Sequence, residues 1–422
     1  MTAIKIIVTK EFLFLKVLLS LIYIVLELYY ACFISQQYDY MRYTFDPGIL
    51  KYLVTKIVFL LLLGFSWHLY IKSGFLYSVY LLLIFLFYIP NAILYSLGDF
   101  PAPPFVSVTF FVSFFLLSPY LKIRLPRVSL PVRYGGAVML LLSILLLVPI
   151  VLKFGTDINL RTLLLSEIYE TREVFAARLT GLLNYLYNLE AKTIIPAALA
   201  FFLIYRRYLL AGLLALVLLY LFTISGNKFV YFTSIIVIFF FYFGKDHVSK
   251  TANFFLLLFI LFLVFPVIDI FLPQPLLSGI FVNRLVFIPS LLNQFYFDFF
   301  DGNPYFFADS NFFNRFVENP YGMPAGYVIA QAYWNVTDTY ANNGIVSDGF
   351  MNLGYAGVAL FSAIFAFLFG LFNSLNLHKG YYGLFFSYIF LILSVPLMST
   401  FITGGILLFI ILAVFVIRGE SR

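Results

Sequence analysis

Long, nearly unbroken apolar runs separated by polar connections dominate this chain. A helix of ~20 residues crosses a hydrocarbon core of ~30 Å, so each such run reads as a membrane span. The pattern predicts an all-α polytopic membrane protein with about twelve transmembrane helices, at 11–35, 49–70, 75–97, 104–121, 134–152, 192–205, 208–225, 229–243, 253–272, 353–373, 381–399 and 403–417. The sixth and eighth are short. Two connections, 153–191 and 273–352, exceed hairpin length and are rich in Leu, Phe and Tyr, so ordered structure against the membrane is expected of them. No internal repeat and no Gly/Ser-rich or Pro-rich linker divides residues 1–422, which read as a single integral membrane domain.

Composition agrees with this reading: of 422 residues 63% are hydrophobic, 21% aromatic and only 11% charged, a balance that excludes a soluble or disordered chain. The first run follows Lys5 and Lys10, is too long for a signal-peptide core and lacks a small-x-small cleavage site before Cys32, so it is expected to remain as a span. One cysteine forms no intramolecular disulfide. The formal charge of +7 is not a nucleic-acid footprint, because many basic residues cluster between spans. Lys122, Arg124, Arg127 and Arg133 gather on one side with Lys72, Arg206, Arg207, Lys245, Lys250, Lys379, Arg418 and Arg422. By the positive-inside rule that side is cytoplasmic, both termini with it, and the two long connections lie outside.

In the first long connection, Thr156 or Asp157 is placed to cap a helix reading INLRTLLLSEIYETREVFAARL. On one continuous helix Arg161 and Arg172 differ by roughly 1100°, about 20° from alignment, and lie about 16 Å apart along the axis. Arg178 joins the same basic cluster. These arginines either balance Glu167, Glu170 and Glu173 on a solvated face or bind an anion. Lys228, in SGNKF between two spans, either meets an anionic lipid or snorkels to the interface.

The second long connection holds only two basic residues, Arg284 and Arg315, among many aromatics. A guanidinium suits bidentate recognition of phosphate, and pairing with Asp298, Asp301, Asp309 or Glu318 is the alternative. Asn342, Asn343 and Gly344 read as a turn or a sugar-binding edge, and Asn335-Val336-Thr337 has the form of a glycosylation acceptor. Asp338 and Asp348, in the polar stretch before the tenth span, are the candidate general bases.

Absences narrow the chemistry further. His68, His247 and His378 all fall on the inner side, leaving no histidine for an outer triad. Zinc is not expected, since its sites draw mainly on Cys and His, and Asp298-x-x-Asp301 alone is a thin basis for a hard divalent ion. No Gly-rich phosphate loop indicates a nucleotide-driven machine, and no cofactor is called for. Arginines, aromatics and carboxylates at an outer membrane surface suit sugar transfer from a lipid diphosphate. The arginines would stabilise the leaving diphosphate, and one carboxylate would take the proton of the attacking hydroxyl.

The layout, with TREVFAARLTGLLNYL followed by IIPAALAFF, SGNKF, NRLVFIPSLL and ANNGIVSDGFMNLGYAG, resembles the Wzy-type O-antigen and oligosaccharide repeat-unit polymerases. That family is described as spacing an arginine ten residues from a glycine in each outer loop. Arg315 and Gly326 fit, whereas Arg172 and Gly181 have eight residues between. The resemblance implies a GT-C-like fold in the bacterial inner membrane with its site facing the periplasm. It implies Arg172, Arg178, Arg284 and Arg315 as diphosphate and glycan binders, and Arg161 and Lys228 are the further candidates. The reaction implied moves a glycan from undecaprenyl diphosphate to the non-reducing end of another lipid-linked unit. Membrane lipid and a chain-length regulator are the implied partners, nucleic acid is not. Related O-antigen ligases use an outer-loop histidine that this chain lacks. A lipid-linked oligosaccharide flippase is the main rival and would place polar groups near the midplane of its spans. A membrane acyltransferase is weakened by the missing histidine.

Overall fold

A computed structural model of the chain describes residues 10–121, 130–164, 167–310 and 313–417. These residues form helices and no strand. Ten helices among them are long and apolar enough to cross a membrane: Lys10–Gln37, Ile49–Lys72, Gly74–Leu97, Ala102–Tyr120, Val132–Phe154, Leu182–Ile204, Tyr208–Ser225, His247–Asp269, Ile345–Leu375 and Leu397–Ile417. Lys228–Tyr242 is apolar but shorter, at 15 residues. Leu13, Ile24, Leu60, Leu141, Leu152, Leu209 and Ile260 are exposed on these helices, an exterior suited to a hydrocarbon solvent. The chain is therefore a multi-pass helical membrane protein. The basic positions Lys5, Lys122, Arg124, Arg127, Arg418 and Arg422, used above for orientation, lie outside the described residues.

Three predicted elements differ in extent. The sixth span begins at Leu182, because the polar residues Asn184, Asn188 and Glu190 are carried inside the helix. The tenth helix begins at Ile345, and the predicted start at Leu353 marks a break instead, where Gly354 takes φ 60, ψ −148. Gly349 and Gly357 sit back to back across that break, since a Cβ on Gly357 would lie 1.9 Å from the Gly349 carbonyl oxygen. Finally, the region predicted as 381–399 is helical over Tyr382–Leu391 and resumes at Leu397 after Pro396. Proline lacks the N–H that would continue the ladder.

The chain divides into two compact units. The first comprises Met1–Leu121, Asp246–Gly370 and Ile392–Leu397. Its central helix, Gly74–Leu97, is buried along its length and packs against Ile49–Lys72, His247–Asp269 and Ile288–Phe299. Polar bonds tie these helices where apolar surface alone gives little preference in lipid: Tyr88 donates to the Thr55 carbonyl at 2.6 Å, Asn91 to Ser290 Oγ at 2.9 Å and Tyr29 to the Phe262 carbonyl at 2.8 Å.

The second unit comprises Lys122–Lys245, Leu371–Leu391 and Met398–Arg422. Leu182–Ile204 packs there against Tyr208–Ser225 and Val132–Phe154, and Lys228–Tyr242 against Tyr382–Leu391. Thr193 donates to the Gly404 carbonyl at 3.0 Å and lies 3.1 Å from the Tyr388 hydroxyl. A Cβ on Gly405 would lie 2.0 Å from Thr193 Oγ1, so the glycine permits this approach.

Candidate functional site

In the first unit the second long connection starts from a carboxylate cap. Asp269 accepts from the backbone N–H groups of Leu277 at 2.9 Å and Ser278 at 2.8 Å, starting the π-helical turns Ser278–Phe287 that run into Ile288–Phe299. Arg284 is exposed on those turns, and its charge acts on the Tyr38 phenol. The neighbouring Asn283 accepts a 2.9 Å bond from Tyr43, which pins the connection between the first two helices to this segment.

Asp309 closes the middle of the connection. Its Oδ1 accepts from Tyr305 at 2.7 Å and Asn319 at 3.1 Å, and its Oδ2 from the Ala325 N–H at 2.7 Å, capping helix Ala325–Trp334. Burial, then Asp309, drives the Tyr305 phenol up. Burial, then Asp309 and Asp348, pushes Tyr340 up to about 12. Both phenols stay protonated donors at neutral pH. Tyr340 stands edge-on to Tyr327 at 5.2 Å, and its ring occupies the space a Gly326 Cβ would need, 2.5 Å away. The glycine of the Arg315–Gly326 spacing thus admits an aromatic ring. Arg315 is exposed, ends the turn Phe313–Arg315 and forms no ion pair among the described residues.

The two candidate bases occupy different environments. Asp338 is exposed and lines an open groove of about 390 Å³ with Met323, Tyr327, Gln331 and Thr337. Its Oδ1 accepts a long bond, 3.5 Å, from Thr339 Oγ1. Asp348 is only 4% exposed: Oδ2 accepts from the Leu397 N–H at 2.8 Å, and Oδ1 from Asn352 at 2.9 Å and Asn343 at 3.5 Å. It is a helix cap with both oxygens engaged. Asn343 and Gly344 act as a structural turn, since a Gly344 Cβ would lie 2.5 Å from the Leu393 carbonyl oxygen.

In the second unit the predicted helix from 158 does not form as one piece. Leu160–Leu164 is a short 3₁₀ turn, Glu167 takes φ 55, and the helix proper is Ile168–Arg178. Arg161 and Arg172 therefore lie on separate elements and do not share a face. Neither Thr156 nor Asp157 caps it; Asn159 organises the turn, accepting from the Arg161 N–H at 3.1 Å and donating to Glu167 at 3.1 Å and Thr171 at 3.0 Å. Arg161 pairs with Glu167 at 2.5 Å, and Arg178 pairs with Asp157 while donating to the Lys153 carbonyl at 3.1 Å. Arg172 and Lys228, far apart in sequence, come together around Tyr169, at 5.9 and 5.4 Å from its ring centroid. The cause is Gly226, at φ 60: a Cβ there would lie 2.6 Å from the Ile168 carbonyl oxygen, and Arg172 donates to the Gly226 carbonyl at 3.2 Å.

Sequence reasoning passed over Arg42, Glu190 and the pair Glu27–Lys56. Arg42 takes φ 74 and lays its guanidinium 5.2 Å from the centroid of Tyr333. Its legible signal was the aromatic interleaving of YDYMRYTF. Glu190 is wholly buried in the π-helical turn Glu190–Ile194, with neither carboxyl oxygen bonded among the described residues. Lys56 meets Glu27 at 2.5 Å between the first two helices and sits 3.3 Å over the Tyr23 ring. His68 and His247 stand at the ends of their helices away from Arg42 and Arg284, His68 at 3.0 Å from the Tyr120 hydroxyl. Among the described residues no three His, Cys, Asp or Glu side chains gather as metal ligands. No family model, no curated protein and no solved structure matches this chain.

Proposed function

We propose that this chain is a membrane glycosyltransferase that polymerises lipid-linked oligosaccharide repeat units at the periplasmic face of a bacterial inner membrane. Its twelve-span, GT-C-like layout and its outward-facing long connections belong to the same reading. The donor is a glycan on undecaprenyl diphosphate and the acceptor the non-reducing end of another lipid-linked unit. The acceptor hydroxyl oxygen bonds to the anomeric carbon of the donor, and the bond from that carbon to the diphosphate oxygen breaks. The electron pair leaves with undecaprenyl diphosphate, whose charge Arg284 and Arg315 stabilise. The hydroxyl proton passes to a carboxylate, for which Asp338 is exposed at the groove and Asp348 serves as the cap that holds the segment in place. Arg172 and Lys228, gathered around Tyr169, bind anionic lipid or glycan in their own unit; Arg161 and Arg178 hold that segment through their carboxylate partners.

The observation that carries the reading is the open groove beside Asp338, lined by Tyr327 and Gln331, in the same connection as two exposed arginines. Purified protein in bilayers, given lipid-linked repeat unit and no nucleotide, is expected to produce a ladder of products on a gel. Arg284→Ala and Arg315→Ala are expected to leave single repeat units; normal ladders from both would overturn the reading. The Glu27–Lys56 pair inside the spans favours a second reading, a lipid-linked oligosaccharide transporter. That reading predicts no ladder and movement of the lipid-linked unit across the bilayer.

A further inference from the structure

The segment joining the first two helices is short, carries one arginine and has no role in the scheme above. It is nevertheless fastened to both sides of the second long connection. Tyr43 donates to Asn283 beside Arg284, and Trp334 Nε1 donates to the Met41 carbonyl at 3.4 Å. Arg42 lies between these two anchors. Tyr43 and Asn283 directly follow Arg42 and directly precede Arg284, so one buried bond brings the two arginines to the same end of the unit.

The side chain of Arg42 lies over the Tyr333 ring, 5.2 Å from its centroid. The Tyr333 ring stacks on Phe295 at 4.2 Å between centroids and 6° between planes, and its hydroxyl donates to Asp298 at 2.5 Å. With the phenol tied at one end and its ring packed against Phe295, Tyr333 is a rigid base for the guanidinium over it. Asp298 accepts from the Tyr333 hydroxyl, and Asp39 accepts from the Tyr40 N–H at 2.7 Å. Arg42 is exposed and forms no ion pair among the described residues. A guanidinium beside an aromatic face keeps its N–H fork available to an anion, and the fork matches phosphate oxygens two at a time. The backbone of Arg42 adds a second sign of constraint, because φ 74 is a conformation that non-glycine residues other than Asn and Asp rarely take.

We propose that Arg42, placed over the Tyr333 ring, is a further diphosphate-binding residue that acts with Arg284 on the polyprenyl diphosphate head group. This rests on the functional reading above. The test is binding of a short polyprenyl diphosphate, and of the polyprenol of equal length, to the purified full chain in nanodiscs. Arg42→Asn removes the guanidinium while suiting the left-handed backbone, and Arg42→Lys keeps the charge without the fork. The wild type is expected to prefer the diphosphate, with affinity for it falling roughly tenfold to a hundredfold in Arg42→Asn and recovering only in part in Arg42→Lys. The melting temperature, read from tryptophan fluorescence, is expected to be kept in both. Undiminished diphosphate binding by Arg42→Asn overturns the role of Arg42 and leaves the functional reading standing. Full recovery by lysine overturns the bidentate recognition. A wild type that does not distinguish diphosphate from alcohol overturns the functional reading, and this inference with it. An Arg42→Asn variant that loses binding only because it melts early fails the temperature control and counts against the inference.

Discussion

Asp338 and Asp348 stand ten residues apart in one polar stretch, and their surroundings predict opposite consequences of losing them. Replacing Asp348 by Ala removes the acceptor for the buried Leu397 N–H and one acceptor for Asn352, at 2.8 and 2.9 Å. Loss of a helix cap costs about 1 kcal/mol, and a buried donor left without a partner about 1–3 kcal/mol more, so the total is roughly 2–4 kcal/mol. At about 2–4 °C per kcal/mol for a unit of this size, the melting temperature should fall by roughly 5–15 °C. Asp338→Asn alters an exposed side chain, and its effect should stay within about 0.5 kcal/mol. Intrinsic fluorescence suits the measurement, because both tryptophans, Trp67 and Trp334, belong to the unit that contains the two aspartates. Polymerisation measured on the same preparations separates the roles: Asp338→Asn is expected to keep its melting temperature and lose the product ladder. Should Asp348→Ala melt with the wild type, or Asp338→Asn melt as early as Asp348→Ala, the division between cap and base is refuted.

Gly226→Ala forces a Cβ against the Ile168 carbonyl oxygen at a positive φ, costing on the order of 2–4 kcal/mol; trypsin cleavage after Arg172 should accelerate, and an unchanged rate refutes the tight turn. Glu190→Leu removes a buried carboxyl without bonded partners and should stabilise the protein by about 1–3 kcal/mol, a gain visible as a higher melting temperature by circular dichroism, whereas destabilisation would show that the carboxyl has a structural partner. The Glu167 carboxyl is held below its ordinary value of 4.5 by its bond from Arg161 and then that from Asn159. A lowered value means that the clasp contributes above 4.5 and is lost as pH falls through the lowered value. Hydrogen exchange at the Thr162 and Thr171 amides, corrected for intrinsic rates, should therefore rise only in acid, and Glu167→Gln should abolish that rise.

Runs of apolar residues make the membrane spans legible without any tertiary information, because in hydrocarbon a helix satisfies its own backbone and its length is set by the bilayer. Errors arose where that rule competes with local detail. Polar Asn184, Asn188 and Glu190 disguised the first turns of Leu182–Ile204, and Pro396 interrupted a run that looked continuous. The arginines of the long connections were visible as residue types, but their partners were not. Which arginine meets a carboxylate depends on where Glu167 turns left-handed, and helical periodicity does not predict that turn.

The sequence by itself determined a multi-pass helical protein and the kinds of side chain carried between its apolar runs, since each follows from local composition. Only the tertiary structure decided that Lys228 joins Arg172 around Tyr169, that Asp348 is a cap while Asp338 lines an open groove, and that Arg42 lies over the Tyr333 ring. Those pairings depend on contacts between residues tens to hundreds of positions apart, fixed by close backbone approaches such as Gly226 against Ile168 and by single buried bonds such as Tyr43 to Asn283.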